Sequence, residues 1–172
     1  MLRFLKWSGI VLSLILIGGA LYFTYMLKQT KSHSPHGKVE YKTGGYDIEV
    51  EYYRPFKKER EIFGGLVPYG EVWRTGANEA TVFRTATDLQ IGGETLPAGE
   101  YTLWTIPDRR YWEVIFNSGS YSWGTDWDGN PSRDPEKDVL VYSAKSYITV
   151  HVREQFTILL ESEPPIMILT WD

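Results

Sequence analysis

The sequence predicts an all-β fold: an antiparallel β-sandwich of about nine strands, preceded by one N-terminal transmembrane helix. Two observations lead there. Between Lys6 and Lys28 lie 21 residues without a charge, and from about residue 39 the apolar side chains recur every second position. A third supports them: strand-like runs follow one another at short spacing, with almost no helical period between them.

The first six residues, with Arg3 and Lys6, form a short basic leader. Residues 7–27 as a helix would span about 31 Å, the thickness of a bilayer's hydrocarbon core. Trp7 stands at one end and Tyr22 and Tyr25 toward the other, at the depth amphipathic rings prefer. The stretch has no polar face, which a surface helix would need. Gly18-Gly19-Ala20 offers a signal-peptidase alternative, but the apolar run exceeds the usual signal-peptide core of about 7–15 residues. An uncleaved single-pass anchor is therefore expected, with the membrane as the partner of residues 7–27. The short leader stays in the cytoplasm easily, so the remainder is expected outside.

Residues 28–38 contain QTKSHSPHGK (29–38), polar with Pro and Gly, and read as a tether. The domain is expected over 39–172. In YDIEVEY (46–52), Tyr46, Ile48, Val50 and Tyr52 point one way and Asp47, Glu49 and Glu51 the other, a strand with one wet face. DLQIGGETL (88–96) carries Gly-Gly between two extended arms, a hairpin. YTLWTIP, YWEVIFN, DVLVYSA, SYITVHVRE, FTILLES and IMILTW complete the predicted strands. In PAGEYTL (97–103), Gly99 two residues before Tyr101 fits either a tyrosine corner, whose hydroxyl bonds backbone upstream, or a turn followed by an aromatic strand residue.

YRPFKKEREIFGGLVPYGEVWRTGANEATVF (53–83), IGGETLPAGEYTLWTIP (91–107) and EVIFN…WGT (113–125) resemble the bacterial domain of unknown function 2911 family. The resemblance covers about residues 40–172. It implies an exported or envelope-associated β-rich protein and no established activity, so it carries over no site residue. Two departures accompany it: a long N-terminal span where many relatives have a cleavable signal, and no further strand after Leu169-Thr170-Trp171-Asp172.

Composition excludes several chemistries. Without Cys there is no thiol nucleophile and no Cys-held metal or cluster. His33 and His36 belong to the tether, leaving His151 alone in the domain, so neither a His-rich metal centre nor a cofactor is expected. A Ser-His-Asp triad would need His151, which shares a strand face with Thr149 and Arg153, and no Ser lies in a nucleophile-elbow glycine pattern. Residues 39–172 hold 22 acids against 13 bases, a net charge of −9 that argues against nucleic acid.

Two segments remain. In TDWDGNPSRDPEKD (125–138), Asp126, Asp128, Asn130 and Asp134 offer hard oxygens for calcium. Counted from Asp126, the Gly falls fourth and no Glu falls twelfth, unlike an EF-hand loop, and the same residues are turn formers. In VWRTGANEA (72–80), Trp73 fills the core and Arg74 pairs with Glu71 or Glu79; the alternative makes Trp73 a stacking platform, with Arg74, Asn78 and Glu79 bonding a sugar or peptide. The expected function is a membrane-anchored binding module. A hydrolase using the Glu71 and Glu79 carboxylates, or a purely structural envelope protein, stands as the alternative.

Overall fold

The computed structural model describes the backbone of residues 2–172 and the side chains of residues 7–172, so the Arg3 and Lys6 side chains of the basic leader lie outside the described part. One compact unit is the helix α1 (Leu2–Ser32), and the other runs over Ser34–Asp172. Residues Trp7–Ser32 of α1 include an 18-residue stretch of mean hydropathy 2.1 and are long and apolar enough to cross a membrane, a criterion an N-terminal signal sequence also meets. Its small polar residues bond back onto the helix, as Ser13 Oγ does to the Gly9 carbonyl at 2.9 Å. Ser34 precedes Pro35, whose ring disfavours helical backbone in its neighbour, and the helix has ended by then.

The second unit is all-β and antiparallel. Its ten strands are β1 (His36–Tyr41), β2 (Ile48–Tyr53), β3 (Thr81–Thr85), β4 (Leu89–Ile91), β5 (Glu94–Leu96), β6 (Gly99–Ile106), β7 (Tyr111–Asn117), β8 (Asp138–Lys145), β9 (Thr157–Glu161) and β10 (Ile166–Thr170). Six form one sheet in the order β1-β2-β3-β6-β7-β8, while β9–β10 and β4–β5 are two-stranded. The inner face of the large sheet packs against both small ones. Ile48, Val50 and Tyr52 of β2, Phe83 of β3, Leu103 of β6 and Phe116 of β7 share one buried cluster with Ile158 of β9 and with Leu89 and Leu96 of the hairpin. Alternation along β2 alone explains its inward residues, since Glu49 and Glu51 take the opposite face beside Arg84.

Registry gives the sheet two distinct ends. Pairs His36↔Tyr53, Ile106↔Glu113 and Tyr111↔Lys145, with Thr81 at the start of β3, mark the end where the chain enters the domain. Pairs Tyr41↔Ile48, Thr85↔Gly99 and Asn117↔Asp138 mark the distal end.

The Gly-Gly hairpin forms as its sequence requires. Gly92 and Gly93 have φ of 62° and 93°, the positive values a two-residue turn needs. Of the two readings of PAGEYTL, the tyrosine corner holds: the Tyr101 hydroxyl donates to the Pro97 carbonyl at 2.8 Å. β1 begins inside the stretch read as tether, and β3 was not expected. The predicted strand SYITVHVRE (146–154) does not form. Ser146 N–H bonds the Arg110 carbonyl at 2.8 Å, and the chain then leaves the edge strand β8. It crosses to β9, which neighbours β1 at the other edge, and pairs with no strand on the way. Its alternating Ile148, Val150 and Val152 therefore face water, at 99%, 92% and 69% exposure. β-propensity counts only where a pleated neighbour exists.

Candidate functional site

The stretch 72–80 interrupts a strand. β3 runs beside β6 with Thr81 opposite Leu103, and Trp73 continues the same lane: Trp73 N–H bonds the Thr105 carbonyl at 2.7 Å and Thr105 N–H returns to Trp73 at 2.9 Å. Between Trp73 and Thr81 the chain makes a closed excursion. Thr81 Oγ1 donates to the Thr75 carbonyl at 2.7 Å, and the Thr75 and Thr105 hydroxyls meet at 3.1 Å. Thr75, fully buried, has φ of 54°, and Asn78 has φ of 58°. A left-handed backbone suits Asn but is strained for β-branched Thr, at a cost of about 1–3 kcal/mol.

Side chains on this corner take opposite sides of the sheet. Trp73 points to the main core. It lies parallel to Trp171 (6.0 Å, 16° between planes) and edge-on to Phe156 (5.0 Å) and Trp112 (6.3 Å), with Phe63 closing the group. Arg74 lies on the outer side, where Gly124 packs against its stem: a Cβ at Gly124 would stand 2.8 Å from Arg74 Cβ. Arg74 Nη1 donates to Thr125 Oγ1 at 3.0 Å, and burial lowers the guanidinium's pKa below its ordinary value. The Asn78 carbonyl accepts from Gly124 N–H at 3.0 Å, and the residue is 5% exposed. Glu79 is half-buried and Glu71 is exposed. The structure thus brings Arg74 and Asn78 against one loop and sends the Trp73 ring elsewhere.

Two donors at this corner are buried with no hydrogen-bond acceptor among the described residues: Arg74 Nε and Asn78 Nδ2. Buried donors in native proteins are nearly always satisfied, by protein or by ordered water, so these two mark the corner out.

The covering loop, residues 118–137, is fixed by a residue that sequence reasoning passed over. Asn117 is completely buried at the end of β7. Its Nδ2 donates to the Asp134 carbonyl (2.7 Å) and to Asp138 Oδ1 (2.8 Å), while its Oδ1 accepts from Gly119 N–H (2.8 Å) and the Tyr121 hydroxyl (3.1 Å). Asp138 also forms an ion pair with Arg133. Burial pushes the Asp138 carboxyl up, but Arg133 and Asn117 together hold it below the usual range. Beneath the loop a second small core of Ala80, Trp104 and Ile115 is closed by Tyr121, edge-on to Trp104 at 5.5 Å. The only sequence signal of this hub is a polar residue at the end of a strand, on the face opposite Phe116, and its burial there depends on the loop that covers it.

The four calcium candidates separate into two jobs. Asp126 Oδ1 accepts from Asp128 N–H (2.9 Å) and Asn130 N–H (2.8 Å), and its other oxygen from Asn130 Nδ2 (3.1 Å). The Asn130 side chain foremost, with these backbone donors, holds the Asp126 carboxyl below its ordinary pKa. Asp134 caps the short 3-10 turn Pro135–Lys137 through Glu136 N–H. Among the described residues no group of three or more His, Asp or Glu is arranged to hold a metal. His151 lies exposed in the segment after β8.

Elsewhere on the outer face, Arg84 binds Glu49, Glu51 and Glu100, and Lys38 binds Glu40 and Glu49. These are solvent-facing pairs of the kind that adds little stability.

Residues 34–172 match the family described as Protein of unknown function (DUF2911). No curated protein and no solved structure matches the chain.

Proposed function

From the premise that the chain belongs to the DUF2911 family, whose description names no activity, we propose that it is a membrane-tethered binding module with its β-domain outside the cytoplasm. Its ligand presents oxygen acceptors, as a sugar acid or a peptide carboxylate does, to Arg74 and Asn78, with Glu79 alongside. The observation that carries this reading is the pair of buried donors, Arg74 Nε and Asn78 Nδ2, left without acceptors on one strained corner. Strain and unmet donors are costs to folding, and they persist where a bound partner recovers them. The apolar α1 supports the tether. Trp73 serves this site from behind, as the core residue that fixes the strand from which Arg74 projects.

The test uses the full chain in lipid nanodiscs, titrated with glucuronate, galacturonate and tri-alanine and read by calorimetry. Arg74→Met keeps the stem that packs on Gly124 and removes the guanidinium; Asn78→Gly keeps the left-handed backbone and removes the donor. Each is expected to weaken binding by about tenfold or more, since a hydrogen bond to a charged group contributes about 1.5–3 kcal/mol. Binding that survives both substitutions in folded protein refutes the reading, and so does the absence of binding to all three probes.

A further inference from the structure

The longest fully wetted apolar run of the β-domain is the loop 146–152. Tyr147, Ile148, Val150 and Val152 are 73%, 99%, 92% and 69% exposed. Scattered exposed apolar residues need no explanation, but four within six positions on one loop form a contiguous patch of the kind that marks an interaction site. The loop is anchored on both sides. Ser146 N–H bonds the Arg110 carbonyl at 2.8 Å, and the Arg153 carbonyl accepts from Asp172 N–H at 3.2 Å.

Cations ring it. Lys145 and Arg153 bracket the loop in sequence, and Arg109 and Arg110 occupy the exposed β6–β7 turn that holds Ser146. Lys145 Nζ lies 5.1 Å above the Tyr147 ring, and Arg109 lies 5.3 Å above Tyr69. The neighbouring carboxylates are Asp108, Glu154 and Asp172; Glu154 already accepts from Lys58 N–H at 2.9 Å, and Asp172 is paired with Lys57. In a domain of net charge −9 this gathering of positive charge is local. The distal hairpin β4–β5 carries only acids, Asp88 and Glu94.

Strand registry puts the loop at the end of the sheet where the chain enters the domain. Lys145 pairs with Tyr111 at the same end as His36, the first residue of β1. Only His33, Ser34 and Pro35 separate α1 from β1.

We infer that residues 146–152 insert into the headgroup region of an anionic bilayer, with Arg109, Arg110, Lys145 and Arg153 binding lipid phosphates around them. Ile148, Val150 and Val152 supply apolar area to the interface, and the collar supplies attraction to negative lipid. The occupant is lipid and not a second strand, because the loop is bowed between two fixed ends and flanked by like charges that would meet across a symmetric pair. The inference rests on α1 being the anchor, and it adds a second, reversible contact to it.

The chain has no Cys, so Val150→Cys gives a single attachment point for an environment-sensitive fluorophore, and Glu94→Cys on the distal hairpin gives the control. Full-length labelled protein is reconstituted into phosphatidylcholine vesicles with and without phosphatidylglycerol, and quenching by lipid-borne spin labels is measured. The label at 150 is expected to be quenched and blue-shifted, more so with anionic lipid, while that at 94 stays wet. Lys145→Gln and Arg153→Gln are each expected to lower the ratio of inserted to withdrawn loop by about fivefold in anionic vesicles. A label at 150 as wet as that at 94, in protein that floats with the vesicles, overturns the loop and leaves the anchor standing. Protein that does not float overturns both. Quenching that follows protein density instead of lipid charge assigns the loop to a second copy and also overturns the inference.

Discussion

Replacing Trp73 by Ala separates a core residue from a ligand platform. The ring touches Phe63, Trp112, Phe156 and Trp171, with centroid distances from 5.0 to 6.4 Å. Removing a buried Trp costs about 3–5 kcal/mol; because Trp73 is only half-buried, the lower figure of about 3 kcal/mol applies. For a domain of this size each kcal/mol moves the melting temperature by about 3–5 °C, so a fall of about 10–15 °C is expected. Trp73→Phe keeps an aromatic ring among four others and should lose about half as much. Trp127→Ala, at a fully exposed position, serves as control and should change stability by no more than about 0.5 kcal/mol. The assay is thermal unfolding of the full chain in detergent, followed by near-ultraviolet circular dichroism, which reports the packed rings directly. If Trp73→Ala melts together with Trp127→Ala and retains its aromatic signal, the ring is not holding the sandwich and the derivation is wrong.

Two further outcomes follow from the outer face. Asp138 has its carboxyl held below the usual range in the folded protein, so its contribution is complete above the unfolded value of about 4 and is lost as pH falls through the depressed one. Asp138→Asn should therefore lower the urea midpoint at pH 7 and flatten its decline below pH 4; a variant with the same acid profile as the parent removes Asp138 from the account. Gly124→Ala sets a methyl against the Arg74 stem, costs about 1–3 kcal/mol by overpacking, and should shift Arg74 enough to weaken ligand binding along with stability. Unchanged binding and stability together would mean the loop does not bear on Arg74.

The sequence by itself determined whatever depends on neighbours along the chain. The charge-free stretch 7–27 is a helix, and the two-residue period of 46–52 puts Ile48, Val50 and Tyr52 inward and their acidic neighbours out. Gly92-Gly93 closes a hairpin, and Tyr101 bonds four residues back. Each follows from steric and periodic rules that act within a few residues. Strands with weak patterns escaped: in β3 the inward positions include Thr81 and Thr85, polar residues that are buried because their hydroxyls bond nearby carbonyls.

Only the tertiary structure decided which strand-like segments find partners. SYITVHVRE has the alternation of a strand and lies bare, because the chain crosses there from β8 to β9 instead of turning back along an edge. The same holds for the corner at 72–80. Its composition marked it out, but adjacency in sequence said nothing of the sheet plane that parts Trp73 from Arg74. Nor could it reveal that rings at 63, 73, 112, 156 and 171 would gather on one side while Gly124 pressed on Arg74 from the other. A period along the chain fixes the face a residue takes; what waits on that face comes from segments tens of residues away, and is settled only when the layers close.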